Sequence, residues 1–154
     1  MSSVENYIPY QPNAQGLTEA LLDLKSSMGT SSVFKVTGYE ALAFENVTQG
    51  DVLYARASDG KVGKAIANDT FDKALVAGVA ETTKPAGQSV KVIVAGIVAT
   101  AGLNAGDQYF LSAASAGAIV ETPPSTAGQY VTRVGEAGST GQFIINAERP
   151  ILLS

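Results

Sequence analysis

The chain has no cysteine, no histidine and no tryptophan among its 154 residues. The first absence removes disulfides and thiolate chemistry. The second removes the side chain most used as a general base, and the two together remove Cys/His zinc sites. Charge is sparse too: 16% of residues are Asp, Glu, Lys or Arg, against roughly a quarter in an ordinary globular protein. With 10 basic and 14 acidic residues and a formal net charge of −4, the chain lacks the basic footprint that a phosphate backbone demands. Nucleic acid is not an expected partner. Nor is a membrane: the apolar run at 92–98 is interrupted by Gly96 and falls far short of the roughly 20 residues a helix needs to cross a bilayer. The first residues are polar, carry Pro9 and Pro12 and place Glu5 ahead of any basic residue, which is not the pattern of a secretory signal. The expectation is a soluble protein made in the cytoplasm.

What the sequence does have is a repeat. Gly50-Asp51-Val52-Leu53-Tyr54 returns as Gly106-Asp107-Gln108-Tyr109-Phe110, and the turn at Asp59-Gly60 returns at Ala116-Gly117. Gly78-Val79-Ala80-Glu81 returns as Gly135-Glu136-Ala137, and Gly87-Gln88-Ser89-Val90 as Gly141-Gln142-Phe143-Ile144. The offsets are 106−50 = 56, 117−60 = 57, 135−78 = 57 and 141−87 = 54. A spacing held this closely is the mark of one β-unit built twice.

Three regions follow from the local patterns. Residues 1–16 read as an extended arm, because Pro9 and Pro12 forbid helix and bias the residues before them toward extended geometry. Tyr7, Ile8 and Tyr10 give that arm apolar surface a solvated tail would not need, so they are candidates for partner contact. Residues 17–29 carry helical spacing: Leu17, Leu21, Leu24 and Met28 form one apolar stripe, Thr18 is placed to cap the start and Gly29 the end. So short a helix is marginal alone, and its stripe is expected to pack on the β-domain or on sister chains. From residue 30 to 154 the pattern is β, with repeats at about 45–100 and 101–154. Ser32 to Val36 and Leu42 to Phe44 open it around Gly38, Asp59-Gly60 is a strong hairpin signal, and Ala74 to Ala80, Tyr130 to Glu136 and the closing Ile151 to Leu153 read as further strands. Short strands with turn signals every eight to twelve residues predict a mainly β fold, a sandwich or barrel made of two similar units.

A search for chemistry yields little. Gly60-Lys61-Val62-Gly63-Lys64 resembles a phosphate loop but lacks Gly at 58, has Ala65 where Ser or Thr is required, and sits in a hairpin. The acids Asp51, Asp59, Asp69, Asp72, Asp107, Glu121 and Glu136 are scattered, with no calcium-loop spacing. Asp51 and Asp107 hold matching places in the two copies, which fits turns at the start of a strand better than a paired site. Tyr54 and Tyr109 are read as occupying equivalent positions of the two copies, and they, with Phe34, Phe44, Phe110 and Phe143, are expected to fill the core. No catalytic residue, metal ligand or cofactor is expected, and the chain does not read as an enzyme.

The phrase Gly102-Leu103-Asn104-Ala105-Gly106-Asp107-Gln108-Tyr109-Phe110-Leu111-Ser112, continued by Gly117 to Pro124, Val134-Gly135-Glu136-Ala137 and Arg149-Pro150-Ile151-Leu152-Leu153, resembles stretches of bacteriophage virion proteins. The first copy, Gly50 to Tyr54 and Val76 to Gly96, is similar to small phage head decoration, or cement, proteins. The resemblance covers about 45–153. It implies a β-rich homotrimer on the outer surface of the capsid, bound to the major capsid protein and stabilising the head. Tail fibres, baseplates and head–tail connectors share some of these phrases and form the alternative. A carbohydrate-binding module is a third reading, to be judged by whether the aromatic rings are exposed.

Overall fold

The computed structural model describes residues 36–154; the arm at 1–16, the helix at 17–29 and strand residues 32–35 expected from the sequence lie outside the described residues. The described part is mainly β. In chain order it runs β1 (Thr37–Leu42), β2 (Val52–Ala55), β3 (Val62–Lys64), α1 (Phe71–Ala74), β4 (Gly78–Ala80), β5 (Ser89–Ala99), β6 (Gln108–Leu111), β7 (Ile119–Val120), β8 (Tyr130–Val131), β9 (Arg133–Ser139), β10 (Gln142–Ile145) and β11 (Ile151–Leu152).

The expected sandwich or barrel takes the form of one curled antiparallel sheet. Its order is β3-β2-β4-β5-β10-β9-β6-β7, with β1 added to β5 and with β8 and β11 as a separate pair. The order reads the same from both ends: the first repeat contributes β3-β2-β4-β5 and the second contributes the equivalent strands in reverse. Pairing registers match as well. Leu53 faces Gly78 as Tyr109 faces Gly135, and Val52 faces Val79 as Gln108 faces Glu136. Turn geometry repeats too, since Gly50 and Gly106 have φ of 91° and 87°. Their N–H groups donate to Ala80 and Ala137 carbonyls at 2.9 and 2.8 Å. The fourth sequence landmark does not hold. Ala80 pairs with Val92 and Ala137 with Phe143, so the true equivalence there is 143−92 = 51, not 54. The second repeat simply has a tighter connection, and Gly87 alone of the expected Gly87/Gly141 pair has positive φ.

The two repeats do not use the same face. Val52, Tyr54, Val79 and Ile93 of the first share one core with Tyr109, Leu111, Ala137, Phe143 and Ile145 of the second. Leu53, the partner of Tyr109 by register, instead lies in a second core with Val62, Ala80, Val90 and Val92, closed by Ala43 and Val47. The exchange is made along β5. Ile93 and Val98 both enter the shared core, an odd separation that a regular strand cannot put on one face. The extra residue is Val94, passed over where the pairing with β1 shifts from Gly38–Ile93 to Thr37–Ala95, and Gly96, at φ 118°, follows as a bend open to glycine.

The curl brings the far ends of the sheet together. Val52 N–H donates to the Gly117 carbonyl at 2.9 Å, Gly117 N–H to Ala65 at 2.7 Å, and Ala67 N–H to Ser112 at 3.0 Å. Local boundaries depart from the sequence reading in four places. Gly38 lies inside β1, not between strands. The expected strand from Ala74 is reduced to β4 because α1, capped by the Thr70 hydroxyl, takes Phe71–Ala74. Residues 130–136 split at the buried Thr132 into β8 and β9. The Asp59-Gly60 hairpin is closed from Arg56 to Lys61, with Gly60 N–H on the Arg56 carbonyl at 2.7 Å, a longer loop than a two-residue turn.

Candidate functional site

The side chains singled out for contact, Tyr7, Ile8 and Tyr10 in the arm and Leu17, Leu21, Leu24 and Met28 in the helix, lie outside the described residues. Within the described residues the places to look are surfaces. Apart from Leu75, exposed singly after α1, large apolar side chains are exposed in two groups: Ile151 and Leu152 at 65% and 57%, and, along β1 and its neighbour, Val36, Tyr39, Leu42 and Val94 at 41–48%.

The first group is built by the end of the chain. β11 pairs Ile151 with Val131 and Leu152 with Tyr130. Its corner is held by aromatics: Phe71 of α1 meets Tyr130 edge-to-face at 6.1 Å, and the Arg149 guanidinium lies 5.3 Å from the Phe71 ring centre. Beside Ile151 runs a groove of about 560 Å³ floored by Phe110 and Val131 and walled by Gln108, Arg133 and Glu148. Arg133 fixes that wall, its side chain only 15% exposed. Its Nε donates to Gln108 at 3.3 Å, and one terminal nitrogen donates to the Asn146 carbonyl at 3.3 Å and to Glu148 at 3.5 Å. The groove has a wall of paired charge, an apolar floor and an apolar lip. It offers packing and directed hydrogen bonds.

The second group lies on an edge. β1 pairs with β5 from Gly38–Ile93 to Leu42–Ser89, and among the described residues its other side meets only the bridge from Ala43 to Val62.

Asp51 and Asp59 have structural work. Asp51 Oδ2 accepts from Thr48 N–H at 2.8 Å while Asp51 N–H donates to the Thr48 carbonyl at 2.9 Å, a reciprocal closure of the turn that starts β2. Burial raises its carboxyl above the usual range, against the pull of that N–H and of Lys64. Asp59 is held down to about 2 by its hydrogen bond from Arg56 and by the Lys61 N–H. Tyr109 sits in a small polar clamp: its hydroxyl accepts from Asn104 N–H at 2.8 Å and donates to Glu121 at 3.0 Å, and Glu121 also accepts from the Asn104 side chain. The Asn104 N–H draws the phenol's pKa down, but burial and the Glu121 charge outweigh it and leave it raised. The clamp ties the Gly-rich turn before β6 to the end of β7. Among the described residues no group of three or more acids could gather around a metal ion, and no helix is long and apolar enough to cross a membrane.

Sequence reasoning missed both exposed groups. Residues 151–153 read as a closing strand, which β11 is, but alternation cannot be judged over so few residues. The composite Arg133 wall gathers Gln108, Arg133 and Glu148 from places separate in sequence, and no local signal marks it. No protein-family model matches the chain, and no curated protein matches it.

Proposed function

We propose that this chain is a structural protein of a bacteriophage virion, a decoration protein that binds the major capsid protein on the outside of the head and stabilises it. The observation that carries the reading is the exposure of Ile151 and Leu152, 65% and 57%, within the Arg149-Pro150-Ile151-Leu152-Leu153 segment that resembles phage virion proteins. Two large aliphatic side chains held out into solvent on a fixed corner gain nothing from their own fold; against another surface each contributes roughly 1.5–3 kcal/mol when fully covered. Many copies on a lattice multiply a modest contact. The body supports the reading in a second way, since its polar side chains are spent on turns, caps and clamps. A glycan-binding role draws no support from the core aromatics: Tyr54 and Tyr109 are 6% and 4% exposed, so neither ring offers a face to a sugar.

The test is quantitative binding to capsids that lack the protein, with copy number counted on the particle. Saturation at hundreds of copies per head, lost in the Ile151→Ser, Leu152→Ser double variant with its circular dichroism unchanged, is the expected result. A few to a few dozen copies would move the protein to the tail, the baseplate or the connector. No association with any particle component would overturn the proposal.

A further inference from the structure

Among the described residues, the outer edge of β1 is unpaired from Thr37 to Leu42, and it is shaped to pair with itself. Backbone groups of alternate residues in an antiparallel strand point to opposite edges. Ala43 N–H donates inward to Gln88 at 2.9 Å, and Phe44 N–H donates the other way, to Val62 at 3.0 Å. Gly38, Glu40 and Leu42 therefore turn their N–H and C=O groups away from β5, as Phe44 does. An exposed edge of this length ordinarily carries a proline, a lysine or a bulge that discourages a second strand. Here the residues are Thr-Gly-Tyr-Glu-Ala-Leu, and the one register shift in the pairing, between Thr37 and Gly38, puts the extra residue, Val94, in β5 and leaves β1 itself regular. The one charge, Glu40, is occupied by the Ser89 hydroxyl at 2.8 Å.

We propose that two copies of this chain join through β1, antiparallel across a two-fold axis, with Tyr39 opposite Tyr39 of the second copy. Three registers pair four or more outward-facing residues of each copy within residues 36–44. Centring on Glu40 sets two like charges face to face, which is destabilising. Centring on Ala41 needs Phe44, whose N–H is already bonded to Val62. Centring on Tyr39 conflicts with neither: Gly38 exchanges bonds with Glu40 of the second copy, and Val36 meets Leu42. The exposed residues of the strip, Val36, Tyr39 and Leu42 at 48%, 41% and 48%, then become cross-strand partners. In the Tyr39 pair, which makes no backbone bonds, the side chains approach most closely, and aromatic pairs there add to strand pairing. The contact is two-fold and does not depend on the capsid reading.

Because the chain contains no cysteine, a single introduced thiol reports the register directly. Tyr39→Cys in the full-length protein, under mild oxidation, is expected to give a covalent dimer of twice the 15.8 kDa chain mass, while Ser58→Cys on the exposed hairpin stays a monomer on a denaturing gel. Light scattering of the unmodified chain at tens of micromolar is expected to give the dimer mass. Glu40→Pro removes one outward N–H and leaves the β5 ladder intact, so it should return the protein to monomer with its circular dichroism retained. Should that variant fail to fold, Leu42→Lys makes the same test through the side-chain pair. A monomer at all concentrations, a trimer indifferent to these variants, or no preferential crosslink at position 39 would overturn the proposal.

Discussion

Gly78 and Gly135 show how tightly one residue can be specified. Each sits where its strand crosses the next, and a Cβ built on either would lie well under 3.0 Å from a backbone carbonyl oxygen, that of Ile93 or of Ile144. The obstacle is main chain in a paired strand, so it cannot move aside as a side-chain tip would. Alanine at either position is expected to cost about 3 kcal/mol, the upper part of the range for overpacking. Gly141→Ala, where nothing lies within 4 Å, should stay within about 0.5 kcal/mol. Urea unfolding of the three variants checks this, and an equal loss at all three would refute the steric account.

Between elements, one hydroxyl holds together what the sequence left unconnected. Thr132, fully buried in the gap between β8 and β9, donates to the Ala74 carbonyl at the end of α1 at 2.9 Å. Thr132→Val keeps the shape and strands that carbonyl, so a loss of roughly 1–3 kcal/mol is expected. Selective loss of exchange protection in the α1 and β8 amides would mark the joint as the cause. This element was only half legible. The repeat could be read because glycines that serve turns and close crossings cannot be replaced, and they left matching marks at 50/106 and 78/135. The β2–β3 pairing was legible from the Asp59-Gly60 turn, while the order of the whole sheet was not. Nor were element boundaries, because Thr70 caps a one-turn helix inside an apolar run that reads equally well as strand. The face exchange had a clue in plain sight: Val52 and Val79 stand opposite Gln108 and Glu136 in the repeat, so the matching faces could not both be interior. The exchange itself is made by the extra residue Val94 and the bend at Gly96, and neither a lone valine nor a single glycine announces a change of face. Of the candidate contact surface, the strand β11 was legible and its exposure was not, since burial depends on neighbours distant in sequence.

Across the whole molecule, the shared core makes the two repeats one cooperative body. Phe143 of the second repeat lies within the cluster that also holds Val52, Tyr54 and Ile93 of the first, and its ring meets Tyr109 edge-to-face at 6.0 Å. Phe143→Ala is expected to cost about 3–5 kcal/mol, and native-state hydrogen exchange should show the loss equally in β2, β4, β9 and β10. Protection retained in β2 and β4 would mean that the repeats open separately. The exchange of faces reaches further still. Equivalent strands are covered on both sides in the first repeat, while in the second one side carries Gln108 and Glu136 toward solvent. The pseudo-symmetric chain thus has a front and a back, and turning it over replaces one set of contacts with a different one. Any array assembled from it must lay every copy down the same way round.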